Sequence, residues 1–304
     1  MQAPAVRDLL DESSAWALLR ALAKRASAGQ PVAALRGLSF DARGGVREVP
    51  PEAGLLSVDP QGDPVFRTAA RATPAVAQLL ELYLPLCVGD ESAELVFGHI
   101  GQSLDAQIAT ASGASRYVTG PENIRHMHRL RALSDAVVVG AGTVERDDPQ
   151  LTTRLVTGTN PTRVVIDPEL RLSADRRIFQ DDDAPTLVVC ARGHKRHPRV
   201  GRADVVEVEA SGRVMAPGAI LDTLGQLGLR RIFVEGGGVT VSRFLEARAF
   251  SRLHVTICPI FIGNGRPGIS LPAIDDLGDA LRPRARRFDF GDDVLFDCRL
   301  ERAR

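Results

Sequence analysis

The sequence predicts an α/β fold: a mainly parallel sheet with helices on both faces and an antiparallel edge at its C-terminal end. Three observations carry that expectation. From Glu94 onward, short apolar runs alternate with stretches of helical spacing. The runs, Val137 to Val139 the plainest, are β-branched and lack polar alternation, as strands buried on both faces require. The last two strand patterns, 252–263 and 293–301, are long and have no helical stretch of their own between them, which suits an antiparallel edge.

Residues 1–90 read differently, as a small N-terminal α+β extension of unknown function. Val6 to Ala28 has helical spacing, with Leu9, Leu10, Trp16, Leu19 and Leu22 on one face. A hairpin follows, with strands 38–41 and 46–49 around a turn at 42–45. Thr73 as N-cap and Pro74 at the first helical position open an apolar helix to Leu84, which Pro85 is expected to stop. Residues 91–304 are expected to form the catalytic domain. It opens on strand 94–100. Thr119 to Glu122 fits a capping box for a helix to about Leu133, whose apolar face would be Ile124, Met127, Leu130 and Leu133. Strands are predicted at 136–139, 163–167, 186–191, 204–209 and 231–235. Helices are predicted near 217–227 and from Val239 to about Ala249.

Composition narrows the function classes. The 304 residues are 44% hydrophobic and 25% charged, ordinary values for a globular chain. Lys+Arg and Asp+Glu are both 38, so bulk electrostatics argue against a nucleic-acid or anionic-membrane partner. No apolar run approaches bilayer length. The opening MQAPAVRDLLDESSAW is broken by charge, unlike a secretory leader, which predicts a cytoplasmic protein. Cys87, Cys190, Cys258 and Cys298 form no CxxC, and no metal site is expected.

The chemistry concentrates at two strand ends. Strand 136–139 runs into Gly140, Gly142 and Thr143, then Asp147, Asp148 and Pro149. Strand 231–235 ends on Glu235 and runs through Gly236, Gly237 and Gly238 into a helix start at Val239 and Thr240. Glycines admit close backbone approach, and a helix start favours phosphate, so two such turns on one sheet suit a dinucleotide. Neither matches the six-residue dinucleotide fingerprint, and each taken singly is equally a tight connection. Asp147 and Glu235 are the carboxylates chosen for charge or proton work, with Asp148 as turn chemistry. Arg131 and Arg154 are chosen as a phosphate clamp. Arg125, Arg129, His126 and His128 read mostly as a solvated helix face, and the two histidines, two apart, point different ways. The basic segment 191–202 suits a 2′-phosphate but reads better as a solvated loop. P-loop, nucleophile-elbow and zinc-deaminase patterns are absent.

These residues carry a resemblance. SLDAQIAT (103–110), GASRYVTGPE (113–122), residues 128–154, RVVID (163–167) and VEGGG followed by FLE (234–246) resemble the reductase domain of the bifunctional riboflavin-biosynthesis deaminase–reductase. The resemblance covers about Glu94 to Arg304. It implies a dihydrofolate-reductase-like fold, a homodimer, and NADPH-dependent reduction of the ribosyl group of 5-amino-6-(5-phosphoribosylamino)uracil to ribityl. It implies that Ser115, Arg131, Leu151, Arg154 and Glu235 face the phosphorylated aminopyrimidine. Gly101, Tyr117, Thr143, Asp147 and the helix start from Gly237 would face NADPH. The chain departs from the family pattern at Ala106, for glycine, at His99, for lysine, and at Tyr117, for tryptophan. Residues 1–90 do not resemble the deaminase half. A paralogous reductase of another pyrimidine, pteridine or secondary metabolite, or a non-catalytic nucleotide-binding module, are the alternatives.

Overall fold

The computed structural model describes residues 9–30, 37–50, 53–59, 65–68, 71–88, 94–115, 118–194, 197–212 and 214–302. Two compact units divide the chain, Met1–Glu94 and Leu95–Arg304.

The first unit holds β1 (Leu9–Leu10), α1 (Glu12–Ser27), β2 (Gly37–Phe40), β3 (Val46–Val49), β4 (Leu56–Asp59), β5 (Val65–Thr68), β6 (Arg71–Ala72) and α2 (Pro74–Val88). Helix α1 starts later than expected. The Asp11 carboxylate accepts the Ser14 N–H at 2.7 Å and caps the helix there, leaving Leu9 and Leu10 to pair with β6. Residues 6–8 of that expected helix lie outside the described residues. The hairpin of β2 and β3 forms as expected, and it belongs to a sheet ordered β3-β2-β4-β5. Pro85 does not stop α2. It costs one backbone bond in the last turn, while Leu84, Leu86 and Cys87 around it are fully buried. At roughly 2 kcal/mol per buried apolar side chain, that burial outweighs the proline's ~3 kcal/mol.

The second unit is built on β7 (Leu95–Ser103), β8 (Gln107–Ala109), α3 (Pro121–Ala132), β9 (Ala136–Gly140), α4 (Ala141–Asp147), β10 (Thr162–Ile166) and β11 (Thr186–Ala191). There follow β12 (Arg199–Val200), β13 (Ala203–Val208), β14 (Ala210–Ser211), β15 (Val214–Met215), α5 (Pro217–Gln226), β16 (Arg231–Glu235) and α6 (Gly238–Glu246). The unit closes with β17 (Arg252–Cys258), β18 (Arg266–Pro267), β19 (Arg284–Phe290) and β20 (Asp293–Arg299). Its ten-stranded sheet runs β12-β13-β11-β10-β9-β16-β7-β17-β20-β19. The seven strands from β13 to β17 are parallel, and β20 and β19 form the antiparallel edge.

Alternation along β7 separates the two faces of the sheet. Val96 and Ile100 join one apolar cluster with Val138, Val164 and Val234 and with α5 and α6 residues such as Leu224 and Phe244. His99, of opposite parity, bonds Asn123 of α3 at 2.9 Å. Helices therefore cover both faces, as expected.

Four expectations change. The cap of α3 is Gly120, not Thr119, and no side chain of the helix caps it; the buried Asp293 carboxylate accepts the Gly120 N–H at 2.7 Å from another strand. The buried face of α3 is polar, made of Asn123, His126, His128 and Arg131 with Leu130, while Ile124 is exposed. Residues 141–147 form a short helix, α4, where a turn was expected. Strand β17 stops at Cys258, ahead of Pro259, and β19 is an added edge strand.

Candidate functional site

Strands β9 and β16 are hydrogen-bonded neighbours, with Val234 beside Val138. From β9 the chain moves outward to β10, β11 and β13. From β16 it crosses to β17, beyond β7 on the other side. Their carboxyl ends are thus the point where strand order reverses, the crevice in which open α/β sheets bind ligands.

The two glycine turns interlock there. A Cβ on Gly140 would lie 2.6 Å from Thr240 Oγ1, and a Cβ on Gly237 would lie 2.8 Å from Thr143 Oγ1. Each turn thus receives the threonine of the other's helix. Gly236 (φ +51) and Gly237 (φ +23) sit in backbone conformations that L side chains avoid, and nothing stands within 4 Å of the Cβ position of Gly236. No side chain caps α6 at Gly237; the Thr240 N–H donates to the Gly237 carbonyl at 3.0 Å, and the N–H groups of Gly238 and Val239 have no side-chain cap, with the helix dipole behind them. Open space at Gly236 and an uncapped nine-residue helix fit a pyrophosphate-bearing dinucleotide.

On the α3 side of the crevice, Arg131 Nε and Nη2 donate to the two oxygens of Glu235 at 2.7 and 2.5 Å, and Nη1 donates to the Thr152 carbonyl at 3.0 Å. This corrects the expectation of a free clamp. Two of the five guanidinium donors remain for a ligand. Glu235 meets the crevice as half of an ion pair rather than as a free acid. Arg154 is exposed, and Nη1 donates to Thr152 Oγ1 at 2.5 Å. Its backbone N–H donates to His128 Nδ1 at 2.9 Å. Partial burial, then the charges of Arg131 and Arg177, lower the Arg154 pKa.

The remaining expected residues divide. Gly101, on β7, packs against Thr119, and Ser115 is half-buried in the loop after β8. Leu151 is 1% exposed at φ +53, so it offers backbone, not side chain. Asp147 ends α4 exposed and makes no hydrogen bond or ion pair with Glu235. Asp148 caps α4 and accepts the Arg177 N–H at 2.9 Å, the local role expected for it. Val239 is exposed in the first turn of α6. Tyr117 lies outside the described residues. Ala106 keeps a left-handed backbone (φ +60), and its carbonyl accepts the Gly268 N–H at 2.9 Å. In the basic segment, of which 195 and 196 lie outside the described residues, Arg192, Arg199 and Arg202 pair with Glu209, Asp204 and Asp182 at the surface.

A polar row beneath α3 escaped the sequence reading. Glu235, His99, His254, Asp297 and Arg286 are successive register partners across β16, β7, β17, β20 and β19. His99 Nε2 bonds Asn123 Oδ1 at 2.9 Å and Thr256 Oγ1 at 3.1 Å. His254 Nδ1 meets His126 Nε2 at 3.0 Å, and Asp297 receives Arg252 and Arg286 at 2.7 Å. Burial, followed by the charge of His254, lowers the His99 pKa to about 3, and the same two causes hold His126 well below the usual imidazole range. The signal was available: His254 and Thr256 alternate with apolar residues along β17, and both mark one face.

A family model described as the RibD C-terminal domain matches residues 94–287. The chain is 32% identical over 201 residues to the riboflavin biosynthesis protein RibD of Aquifex aeolicus, covering 64% of this chain and 54% of that protein. It thus spans about half the length of that relative. It is 32% identical over 203 residues to the 2,5-diamino-6-ribosylamino-4(3H)-pyrimidinone 5′-phosphate reductase of Methanothermobacter thermautotrophicus, covering 64% of this chain and 93% of that one. Among solved structures, the Saccharomyces cerevisiae riboflavin biosynthesis reductase Rib7 superposes with a TM-score of 0.60 at 24% identity, over 74% of this chain and 99% of that one, and so shares the fold.

Proposed function

The chain belongs to the RibD C-terminal domain family, and from that premise we propose that it catalyses NADPH-dependent reduction of the ribosyl group of 5-amino-6-(5-phosphoribosylamino)uracil, or of its diamino-pyrimidinone analogue, to ribityl. The observation that carries the proposal is the interlocked pair of glycine turns at the switch point of the sheet. The same reading gives the activity to residues 91–304, with residues 1–90 as an N-terminal extension of unknown function, and takes the protein as a cytoplasmic homodimer. No helix among the described residues is long and apolar enough to cross a membrane.

In this reading Gly236, Gly237, Gly238, Val239 and Thr240 hold the pyrophosphate on the α6 dipole, and Gly101, Gly142, Thr143 and Asp147 line the rest of the cofactor. NADPH, bound there, supplies the hydride. Arg154 and the two remaining Arg131 donors hold the sugar phosphate, with Ser115 and the Leu151 backbone beside it. Opening of the glycosylamine ring leaves a C1′ imine, whose reduction also consumes one proton from solvent. Glu235, within its ion pair, or Asp147 steadies the positive character at C1′; removing such a preorganised charge costs on the order of a hundredfold in rate.

The test is NADPH oxidation dependent on either phosphorylated aminopyrimidine. Arg154→Ala should raise KM at least about tenfold with kcat little changed, the pattern of lost uniform binding. Tight NADPH binding with no turnover of either compound would leave the paralogous reductase as the reading.

A further inference from the structure

Building on the phosphate assignment above, we propose that His128 is a positioning residue: its ring fixes the backbone of Arg154, and so sets the affinity of the Arg131–Arg154 pair for a phosphate monoester. His128 and Arg131 are three apart on α3 and share its buried face, at 4% and 8% exposure. One helix thus reaches the Arg154 segment twice, through His128 to the Arg154 N–H and through Arg131 to the Thr152 carbonyl.

The segment needs such anchors. Residues 151–160 have no strand or helix, so no ladder fixes where Arg154 stands. Two guanidinium groups brought together to receive one dianion also repel each other before it arrives. The Thr152 hydroxyl holds the Arg154 head, and His128 holds its backbone. Holding both cations ready in advance is what converts two charges into affinity.

The ring's chemistry is set by its partner. A backbone N–H only donates, so Nδ1 is the bare nitrogen and the proton lies on Nε2. Burial, then the charges of Arg131 and Arg154, bring the His128 pKa down to about 4, and an interaction with the Thr152 backbone opposes them. The acceptor therefore persists through neutral pH. A ring that merely filled space would not need an acceptor at this position. Asparagine places Oδ1 where Nδ1 stands; glutamine carries its oxygen one bond further out.

The experiment uses the full chain with His128→Asn, His128→Gln and His128→Phe, titrated by calorimetry with inorganic phosphate and, separately, with NADPH. The Gln and Phe variants should bind phosphate about tenfold more weakly, the loss expected when the part-buried bond from the Arg154 N–H is broken and its segment is released, and the Asn variant should stay within about threefold. NADPH affinity should not move. In the reductase assay, KM for the phosphorylated substrate should follow the phosphate affinities while kcat holds within about threefold. Unchanged phosphate affinity in the folded Phe variant overturns the proposal, as does an Asn variant no better than Gln, or an unaltered chain that does not bind phosphate. If the Phe variant does not fold, the Asn–Gln comparison decides. Phosphate affinities in the expected order without turnover of an aminopyrimidine sink the reductase reading and leave His128 its role. Normal turnover with KM indifferent to residue 128 does the reverse.

Discussion

Arg131 and Glu235 show how one side chain changes meaning once its partner is known. Each was selected from sequence as a group that acts on a ligand, and each is first of all the other's counter-ion, joined at two points with side chains only 10% and 13% exposed. Breaking such a pair from one side leaves a buried charge without its partner. Glu235→Ala should therefore lower stability by about 3–5 kcal/mol, read from urea unfolding. Glu235→Gln, which still accepts one hydrogen bond, should lose less. Replacing both partners by apolar residues, as in Arg131→Met with Glu235→Leu, should recover most of the stability while abolishing activity. A Glu235→Ala variant as stable as the unaltered chain would show that solvent reaches the pair freely. That would return Glu235 to the role of an open catalytic carboxylate.

At the scale of elements, the strands of the parallel sheet were legible because β-branched runs without alternation have few other uses. The adjacency of Gly140 and Gly237 was legible in kind, as two glycine turns on one sheet. Their interlock through Thr240 and Thr143 was not, because it depends on β16 inserting between β9 and β7. The polar inner face of α3 was misread since helical spacing marks which residues share a face, not which face is buried. Asn123, His126 and Arg131 are bought into the interior by specific bonds to His99, His254 and Glu235, and those partners come from three other strands. Short helix α4 was hidden because glycines stand at its N-cap, Gly140, and at its second residue, Gly142. The interlock itself is testable by a double-mutant cycle. Gly140→Ala drives a methyl to 2.6 Å from the Thr240 hydroxyl and should cost about 1–3 kcal/mol, with weaker NADPH binding. Adding Thr240→Ala removes the opposing oxygen, so the pair of changes should cost less than their sum by about 1 kcal/mol or more. Additive effects would mean the two turns do not touch.

For the molecule as a whole, the row beneath α3 makes stability depend on pH in a direction that can be worked out. His99, His126 and His128 are buried, and their pKa values are depressed in the folded state, to about 3 for His99 and about 4 for His128. An unfolded chain would titrate them near the ordinary 6.5. Between 6.5 and the folded values, the unfolded state binds protons that the folded state refuses, so stability falls as pH falls. Each histidine contributes about 1.4 kcal/mol per pH unit across that window, and three together about 4 kcal/mol per unit. Asp297 acts later and in the same sense. Burial works to raise its pKa, but bonding and charge from His254, then Arg252 and Arg286, more than offset it and leave it below the ordinary carboxylate value. Its contribution is present above about pH 4 and is lost only below that. Against a total stability of roughly 5–15 kcal/mol, a slope of about 4 kcal/mol per unit removes about 8 kcal/mol within about two pH units below 6.5, before most carboxylates are titrated, and unfolds a second unit whose stability lies in the lower half of that range. Thermal midpoints measured in half-unit steps from pH 7.5 to 4 should therefore begin to drop near 6.5. His126→Phe, which keeps an aromatic ring between His254 and Phe290, should flatten that slope by about a third. A midpoint level down to pH 5 would mean that these rings take up protons in place, and that the row beneath α3 tolerates charge.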